Sequence, residues 1–284
     1  MSSLLSLTKR LFLLLSALVI VWLAAPEKIS RADVQTHYWL GRPIPPEYTT
    51  RQQIGFPYGG TRAERSPLHH GVDLLNKLNT PVIAAADGTV YYAGPDSEHI
   101  FGPYANFYGN VVVIQHDLTA PEGGTLFTLY GHLNAITVQA GQRVGRGQQI
   151  GAVGKSGIAL WYHLHFEVRV GNPQDYNAVR NPELWYAPEP GTGKIVGRMV
   201  DSKGGLAMGI RFVITTPHSV IPNWTYANAD VPSDPAYNEN FVAGDLLAGC
   251  YRFRVKGRGP YAYDEPFCIS SGETLIMQVQ LKPF

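Results

Sequence analysis

The stretch His69-His70-Gly71-Val72-Asp73, together with His163-Leu164-His165 further along the chain, decides how this sequence is interpreted. The first stretch supplies a histidine and a carboxylate four residues apart. The second supplies two histidines that point to the same face of a strand, because strand side chains alternate with a period of two. A catalytic zinc ion takes three nitrogen or oxygen ligands and keeps one position open. The two stretches therefore predict a zinc site of the hydrolytic kind, with further imidazoles left for proton transfer.

The residues around these motifs predict an all-β fold. The chain has 284 residues, enough for about two domains, and its 30 glycines and 21 prolines suit short strands and turns better than helices. Asp87-Gly88 between two strand-like runs predicts a hairpin that joins residues 81–86 to residues 89–92. Further strands are expected at residues 111–116, 125–130, 136–138 and 163–170, with very short strands between the glycines of 141–151.

A proline- and glycine-rich stretch at residues 188–193 predicts a domain boundary. After it, alternating segments at 195–201, 209–214, 249–255 and 274–281 predict a small β-sandwich over residues 194–284. The pattern of this second domain is similar to that of immunoglobulin-like or transthyretin-like modules. The first domain is expected at residues 54–190, and residues 26–53 are expected to form a linker or an extended arm.

The N-terminal segment predicts export. Lys9 and Arg10 precede an apolar run over residues 11–25, which fits a cleaved signal peptide. An uncleaved membrane anchor and a buried core helix are the alternatives, and either a signal or an anchor implies an extracytoplasmic location. In an oxidising compartment Cys250 and Cys268 could form a disulfide, with two buried free thiols as the alternative. The net charge of +1 gives no electrostatic reason to expect a nucleic-acid partner.

Residues 56–172 resemble the lysostaphin-like (LytM-type) zinc metallopeptidase family. Besides the two opening motifs, the resemblance rests on 80–84, 87–90, 108–110, 129–133 and 147–151, all in the family's order. It implies a duplicated-hybrid-motif, barrel-sandwich-like domain that binds one Zn²⁺ per chain through His69, Asp73 and His165. Spacing favours His69 over its neighbour His70. His132 and His163 are the implied catalytic residues, which would hold and deprotonate a water molecule and return a proton to the leaving amine.

The resemblance implies an exported zinc metalloendopeptidase that hydrolyses cross-link or bridge peptides of bacterial peptidoglycan. A non-hydrolytic regulator of another wall hydrolase is the main alternative, and a phosphocarrier or an efflux adaptor is a more distant one. Residues 158–162 depart from the family by being bulky, which leaves the substrate preference open. Glu167 and Asn110 have either a structural role or a role at the site, and His37, His99, His116 and His218 are expected to lie outside it. The sequence carries no signal for the oligomeric state.

Overall fold

The computed structural model describes residues 36–62, 64–257, 259 and 261–283. These residues form β-strands and one short 3-10 helix, so the all-β prediction is confirmed. The predicted export signal or anchor at residues 1–25 lies outside the described residues, as does the start of the predicted arm. Within the described part of the chain, no helix has both the length and the apolar character needed to cross a membrane.

The first part of the chain contains two sheets. Its strands are, in chain order, β1 (Val72–Leu75), β2 (Pro81–Ile83), β3 (Gly88–Pro95), β4 (Asn110–Thr119), β5 (Thr125–Gly131), β6 (Leu133–Ile136), β7 (Arg143–Val144), β8 (Gln149–Val153), β9 (His163–Val170) and β10 (Val179–Arg180). The larger sheet has the order β1-β9-β5-β4-β3-β7, with β10 also paired to β9, and the smaller has the order β2-β8-β6. Both sheets contribute side chains to one main core.

The predicted hairpin between residues 81–86 and 89–92 is wrong. Strand β2 pairs with β8 in the smaller sheet, whereas β3 pairs with β4 and β7 in the larger one. The residues between them already have partners, since Ala84 exchanges backbone hydrogen bonds with Gly147 and Gln148. The Asp87-Gly88 turn therefore carries the chain from one sheet to the other. A turn signal is local and does not say which strand will be the partner.

The second part of the chain also has two sheets, which follow a 3-10 helix at Pro182–Leu184. Its strands are β11 (Thr192–Val200), β12 (Arg211–Thr215), β13 (Val220–Trp224), β14 (Phe241–Leu247), β15 (Gly249–Val255), β16 (Tyr263–Ile269) and β17 (Thr274–Gln280). The sheets β14-β11-β17 and β13-β12-β15-β16 share a single hydrophobic core. A disulfide joins Cys250 and Cys268, which are directly opposite each other on β15 and β16, so the disulfide prediction is confirmed.

The segment before β1 binds the two parts together. It contains no strand over residues 36–53, but Leu40 and Ile44 are buried in the main core. Arg42 forms ion pairs with Asp245 at 2.6 Å and with Glu189 at 3.1 Å. Side chains of β11, β14 and β17 join the same core. The strands and loops that carry the candidate site therefore belong to one continuous packed body.

Candidate metal centre

Strand β9 positions most of the site. It lies inside the larger sheet between β1 and β5, and seven of its eight residues are buried. Because side chains alternate along a strand, Leu164, Phe166 and Val168 point into the main core. The opposite face carries the polar residues His163, His165, Glu167 and Arg169, all of them buried. A buried polar face of this kind needs internal partners, and the site supplies them.

Strand β1 brings the carboxylate to β9. The two strands are antiparallel, and Asp73 lies directly opposite His165 in their register. Side chains at such cross-strand positions are in contact distance. Gly71, just before β1, lets the strands approach, since a Cβ added there would overlap the carbonyl oxygen of Phe166 and lie 2.9 Å from Nε2 of His165. The glycine of the opening motif is thus required by close packing behind the site.

The structure brings the three predicted ligands together. Nε2 of His69 lies 3.0 Å from Oδ1 of Asp73 and 3.3 Å from Nδ1 of His165, and that nitrogen lies 3.0 Å from Oδ1 of Asp73. All three residues are buried, and one donor atom from each lies within 4.8 Å of the others. Two imidazole nitrogens and one carboxylate oxygen form a donor set that suits zinc. The three side chains could therefore hold a metal ion.

The far side of each ligand histidine is fixed by a hydrogen bond. Nδ1–H of His69 donates to the carbonyl oxygen of Phe56 at 2.9 Å, and the Phe56 ring stacks on the imidazole with a centroid distance of 4.0 Å. Nε2–H of His165 donates to Oε1 of Glu167 at 2.9 Å. When both rings are neutral, these bonds leave Nε2 of His69 and Nδ1 of His165 as the atoms without a proton, and each lies 3.0 Å from Oδ1 of Asp73. Such outer partners orient metal-binding histidines and raise their basicity.

Glu167 is held in turn by a buried arginine. Arg169 lies 2.7 Å from Oε2 of Glu167, and neither side chain has any solvent exposure. The hydroxyl of Tyr108 donates to the same carboxylate. Burial alone would raise the pKa of Glu167, but the charge of Arg169 and the hydrogen bond from His165 outweigh it and hold the pKa far below its usual value. Glu167 is therefore a fixed negative charge behind His165.

Burial and neighbouring charges also set the pKa values of the candidate ligands Asp73 and His165. Burial would raise the pKa of Asp73, yet His69 and His165 lower it well below the usual range. Burial would lower the pKa of His165, but hydrogen bonds to Asp73 and Glu167 raise it to about 9. In the absence of a metal, this donor set therefore favours a proton on His165. A metal ion must displace that proton in order to bind, so acid weakens metal binding.

The two predicted catalytic histidines lie side by side next to the donor set. The ring centroids of His132 and His163 are 4.8 Å apart, and Nε2 of His163 lies 3.5 Å from Oδ1 of Asp73. Nδ1–H of His132 donates to the carbonyl of Ser156 at 2.8 Å, and Nδ1–H of His163 donates to that of Trp161 at 2.9 Å. In the neutral rings Nε2 is therefore the free basic atom.

Burial keeps both of these imidazoles neutral. It lowers the pKa of His163, and together with the neighbouring His163 and His165 it lowers the pKa of His132 to about 3. His132 also has a left-handed backbone, with φ of 62°, which is uncommon for a residue with a side chain. Its backbone N–H donates to the carbonyl of Tyr108 at 2.8 Å, which holds this conformation. Backbone strain of this kind concentrates at functional sites.

The remaining histidines do not join the donor set. His70 packs against the ring of Tyr176, and burial lowers its pKa to about 4. His116 is a buried strand residue that hydrogen-bonds Thr128. His37 pairs with Asp234 at 3.0 Å, His99 stacks on Tyr92 and His218 is exposed. Asn110 donates to the carbonyl of Leu133, a structural contact.

Several residues at the site were not singled out from the sequence. Phe56 contacts the candidate ligand His69 and Ser156 contacts the candidate catalytic residue His132, and nothing in their local sequence marks them. The position of Arg169 could have been predicted. It lies two residues beyond Glu167 and four beyond His165, and a strand places all three on the same face. Leu160 and Trp161, from the bulky segment that departs from the family, line the cavity at the site and are 69% and 67% exposed.

Comparisons with known proteins agree on the family of this region. Residues 67–178 match the model of Peptidase family M23. The peptidoglycan DD-endopeptidase ShyA of Vibrio cholerae is 42% identical over 106 residues, which are 37% of this chain and 21% of that protein. The lipoprotein NlpD/LppB homolog of Pseudomonas aeruginosa is 36% identical over 117 residues, which are 41% of this chain and 34% of that protein. This chain thus spans about a fifth and about a third of these two relatives.

Among solved structures, the catalytic domain of the antimicrobial peptidase lysostaphin from Staphylococcus simulans is 27% identical, with a TM-score of 0.37. That match covers 46% of this chain and 89% of the other. Residues 67–178, which include the four histidines and the aspartate of the candidate site, are a peptidase M23 domain by the family match and by the identity to ShyA over this region.

Proposed function

We propose that this protein is an exported zinc metalloendopeptidase that hydrolyses peptide bonds of bacterial peptidoglycan. The observation that carries the proposal is the compact donor set of His69, Asp73 and His165 with two more imidazoles beside it. Three ligands with further acid–base groups next to them are the composition of a catalytic zinc site, whereas structural zinc sites use four protein ligands. The relative ShyA is named as a peptidoglycan DD-endopeptidase, which supports peptidoglycan peptides as the substrate.

In this proposal His69, Asp73 and His165 hold one zinc ion per chain. When bound, zinc supplies a Lewis acid that polarises a carbonyl group and lowers the pKa of a water ligand to about 7. Glu167 and the carbonyl oxygen of Phe56 keep the two imidazoles in the tautomers that binding requires. One carboxylate and two neutral imidazoles leave the ion with a net positive charge, which suits polarisation of a substrate carbonyl.

His132 and His163 manage protons and developing charge. Each is neutral, and each has its Nδ1–H fixed on a backbone carbonyl, so a proton can be accepted or held at Nε2. After accepting a proton at Nε2, either ring can donate a hydrogen bond to a developing oxyanion or return the proton to the leaving amine. Burial lowers the pKa of both imidazoles, so each ring is neutral before it accepts a proton.

A non-hydrolytic regulator of another wall hydrolase is the second candidate, and the NlpD/LppB relative favours it. The retained donor set argues against it, because a protein that only binds a partner does not need three convergent buried ligands and two oriented imidazoles. The remaining parts of the proposal are an extracytoplasmic location, a signal or anchor at residues 1–25, an arm at residues 26–53 and domains at residues 54–190 and 194–284. The disulfide supports the location, since disulfides persist in oxidising compartments.

The test is hydrolysis of purified peptidoglycan by the purified protein, with metal content measured on the same sample. We expect about one zinc per chain and release of new amino termini that stops on chelation and returns on adding zinc. A His218→Ala variant is a matched control, because that histidine is exposed and outside the site. Zinc binding without release of amino termini would refute the peptidase proposal and favour the regulator. Release that continues in chelator would refute zinc dependence.

A further inference from the structure

The cavity at the candidate metal centre is lined by two arginines. It has a volume of about 270 Å³, and Arg62 and Arg65 are among the residues that line it. Among the described residues of this lining, the only carboxylate is that of Asp73, which is already directed at the donor histidines. Two guanidinium groups thus lie beside the site with no lining carboxylate left for them.

Arg62 is held in a defined position relative to the donor set. Its guanidinium lies over the ring of Phe56 at 4.1 Å from the centroid, and it donates a long hydrogen bond of 3.4 Å to Oε1 of Gln53. The Phe56 ring in turn stacks on His69. The guanidinium is therefore one aromatic ring away from a proposed zinc ligand. Phe56 and Gln53 are both uncharged, so neither contact neutralises the charge of Arg62.

The neighbouring surface strengthens the effect of this charge. Leu160 and Trp161 line the same cavity with apolar side chains. Apolar walls beside a charge strengthen its field. A guanidinium has five N–H donors, and Arg62 uses one of them on Gln53, so others are left to make two parallel hydrogen bonds to a carboxylate. A free carboxylate on a substrate peptide is the ligand that this arrangement fits.

We propose that Arg62, assisted by Arg65, binds a free carboxylate of the substrate peptide close to the scissile amide, and so determines specificity. The protein then prefers cross-links whose residues carry a free carboxylate over peptides in which that group is amidated or replaced by a neutral bridge. This inference rests on the proposed peptidase function and names its substrate class. Arg62 acts on substrate binding, and the proton-transfer roles of His132 and His163 are separate from it.

The test compares one ligand in two forms. The probes are a purified cross-linked muropeptide dimer and the same dimer after its carboxylates have been converted to amides with carbodiimide and ammonia. Binding is measured by titration calorimetry with the full-length zinc-loaded protein carrying His132→Ala, so that turnover does not consume the ligand. We expect amidation to weaken binding by about 10-fold, as for the loss of one charge-assisted hydrogen-bonded pair.

Variants then assign the effect to one residue. Arg62→Gln, added to the same background, should reduce the binding ratio of the two probes to about one, and Arg62→Lys should restore part of it because the charge is kept. Arg51→Gln is the matched control, since Arg51 is an exposed arginine that does not line this cavity, and it should leave the ratio unchanged. Circular dichroism of each variant checks that the fold is retained.

The outcomes separate the two proposals. A ratio near one in the parent, a ratio that survives Arg62→Gln, or no binding of either probe would overturn the carboxylate site. Hydrolysis of both probes is followed separately with the unsubstituted protein. A preserved binding preference without hydrolysis would refute the peptidase function and leave the carboxylate site standing. If both probes are hydrolysed with equal kcat/KM and bound equally well, the carboxylate site is refuted and the peptidase function stands.

Discussion

Replacing Glu167 with glutamine should both destabilise the protein and weaken its metal site. The substitution keeps the size of the side chain and removes one negative charge. It leaves Arg169, which has no solvent exposure, without its counter-charge, while the ring of His165 loses a charged acceptor at 2.9 Å. The structural and the metal-binding consequences are separable, because stability can be measured with and without a bound ion.

The size of the stability loss follows from the burial of the Glu167–Arg169 ion pair. Breaking a buried ion pair by removing one partner typically costs about 3–5 kcal/mol, since the remaining charge is neither solvated nor paired. For a protein of this size, this corresponds to a fall in Tm of about 10 °C. Loss of an outer partner of a ligand histidine typically weakens metal affinity by about 10- to 100-fold. We therefore expect Glu167→Gln to melt about 10 °C lower in chelator and to bind zinc correspondingly more weakly.

The assay is thermal unfolding in chelator, followed by competition with a zinc indicator. Asp117→Asn is the matched control, because its ion pair with Arg143 lies on the surface with both side chains more than half exposed, and no measurable change in Tm is expected. Adding Arg169→Met to Glu167→Gln removes the unpaired charge and should recover part of the loss. If Glu167→Gln melts within about 2 °C of the unsubstituted protein, or the double variant is less stable than the single one, the reasoning is refuted.

Four further outcomes are expected. His165→Ala should abolish zinc binding and hydrolysis while the fold survives, and full activity in the metal-free variant would contradict its assignment. His132→Ala should retain zinc but lower kcat by roughly 10²–10⁴-fold, which a fall in zinc content in elemental analysis would contradict. Burial lowers the pKa of His116 below 6.5, so the unfolded chain takes up its proton first and the free energy of unfolding falls as pH drops below about 6.5; urea titrations should show a shallower acid loss for His116→Gln. Reduction of the Cys250–Cys268 disulfide should lower stability by about 3 kcal/mol in guanidinium titrations, because it closes a loop of 18 residues.

Much of the strand content could be predicted from the sequence, because it is written in local patterns. Runs of β-branched residues at 111–116 and alternation at 163–170 gave strands close to β4 and β9. Strands β13, β14 and β16 were not singled out. β13 and β16 each contain a proline, and β14 contains a glycine, residues that weaken a strand pattern when only the local sequence is considered. The predicted hairpin at Asp87-Gly88 is wrong because a turn signal does not specify which strands will pair.

The linear sequence is enough to predict the all-β class and to favour the disulfide, and the family resemblance adds the five candidate site residues. These features depend on residue identity and on the order of motifs along the chain, which can be read from a linear sequence. The folded molecule was needed to show the pairing of Asp73 with His165, the support from Glu167 and Arg169, and the position of Arg62 over Phe56. Those contacts join segments that are distant in sequence. Their geometry is set by strand register and by packing in a shared core, which no local pattern encodes.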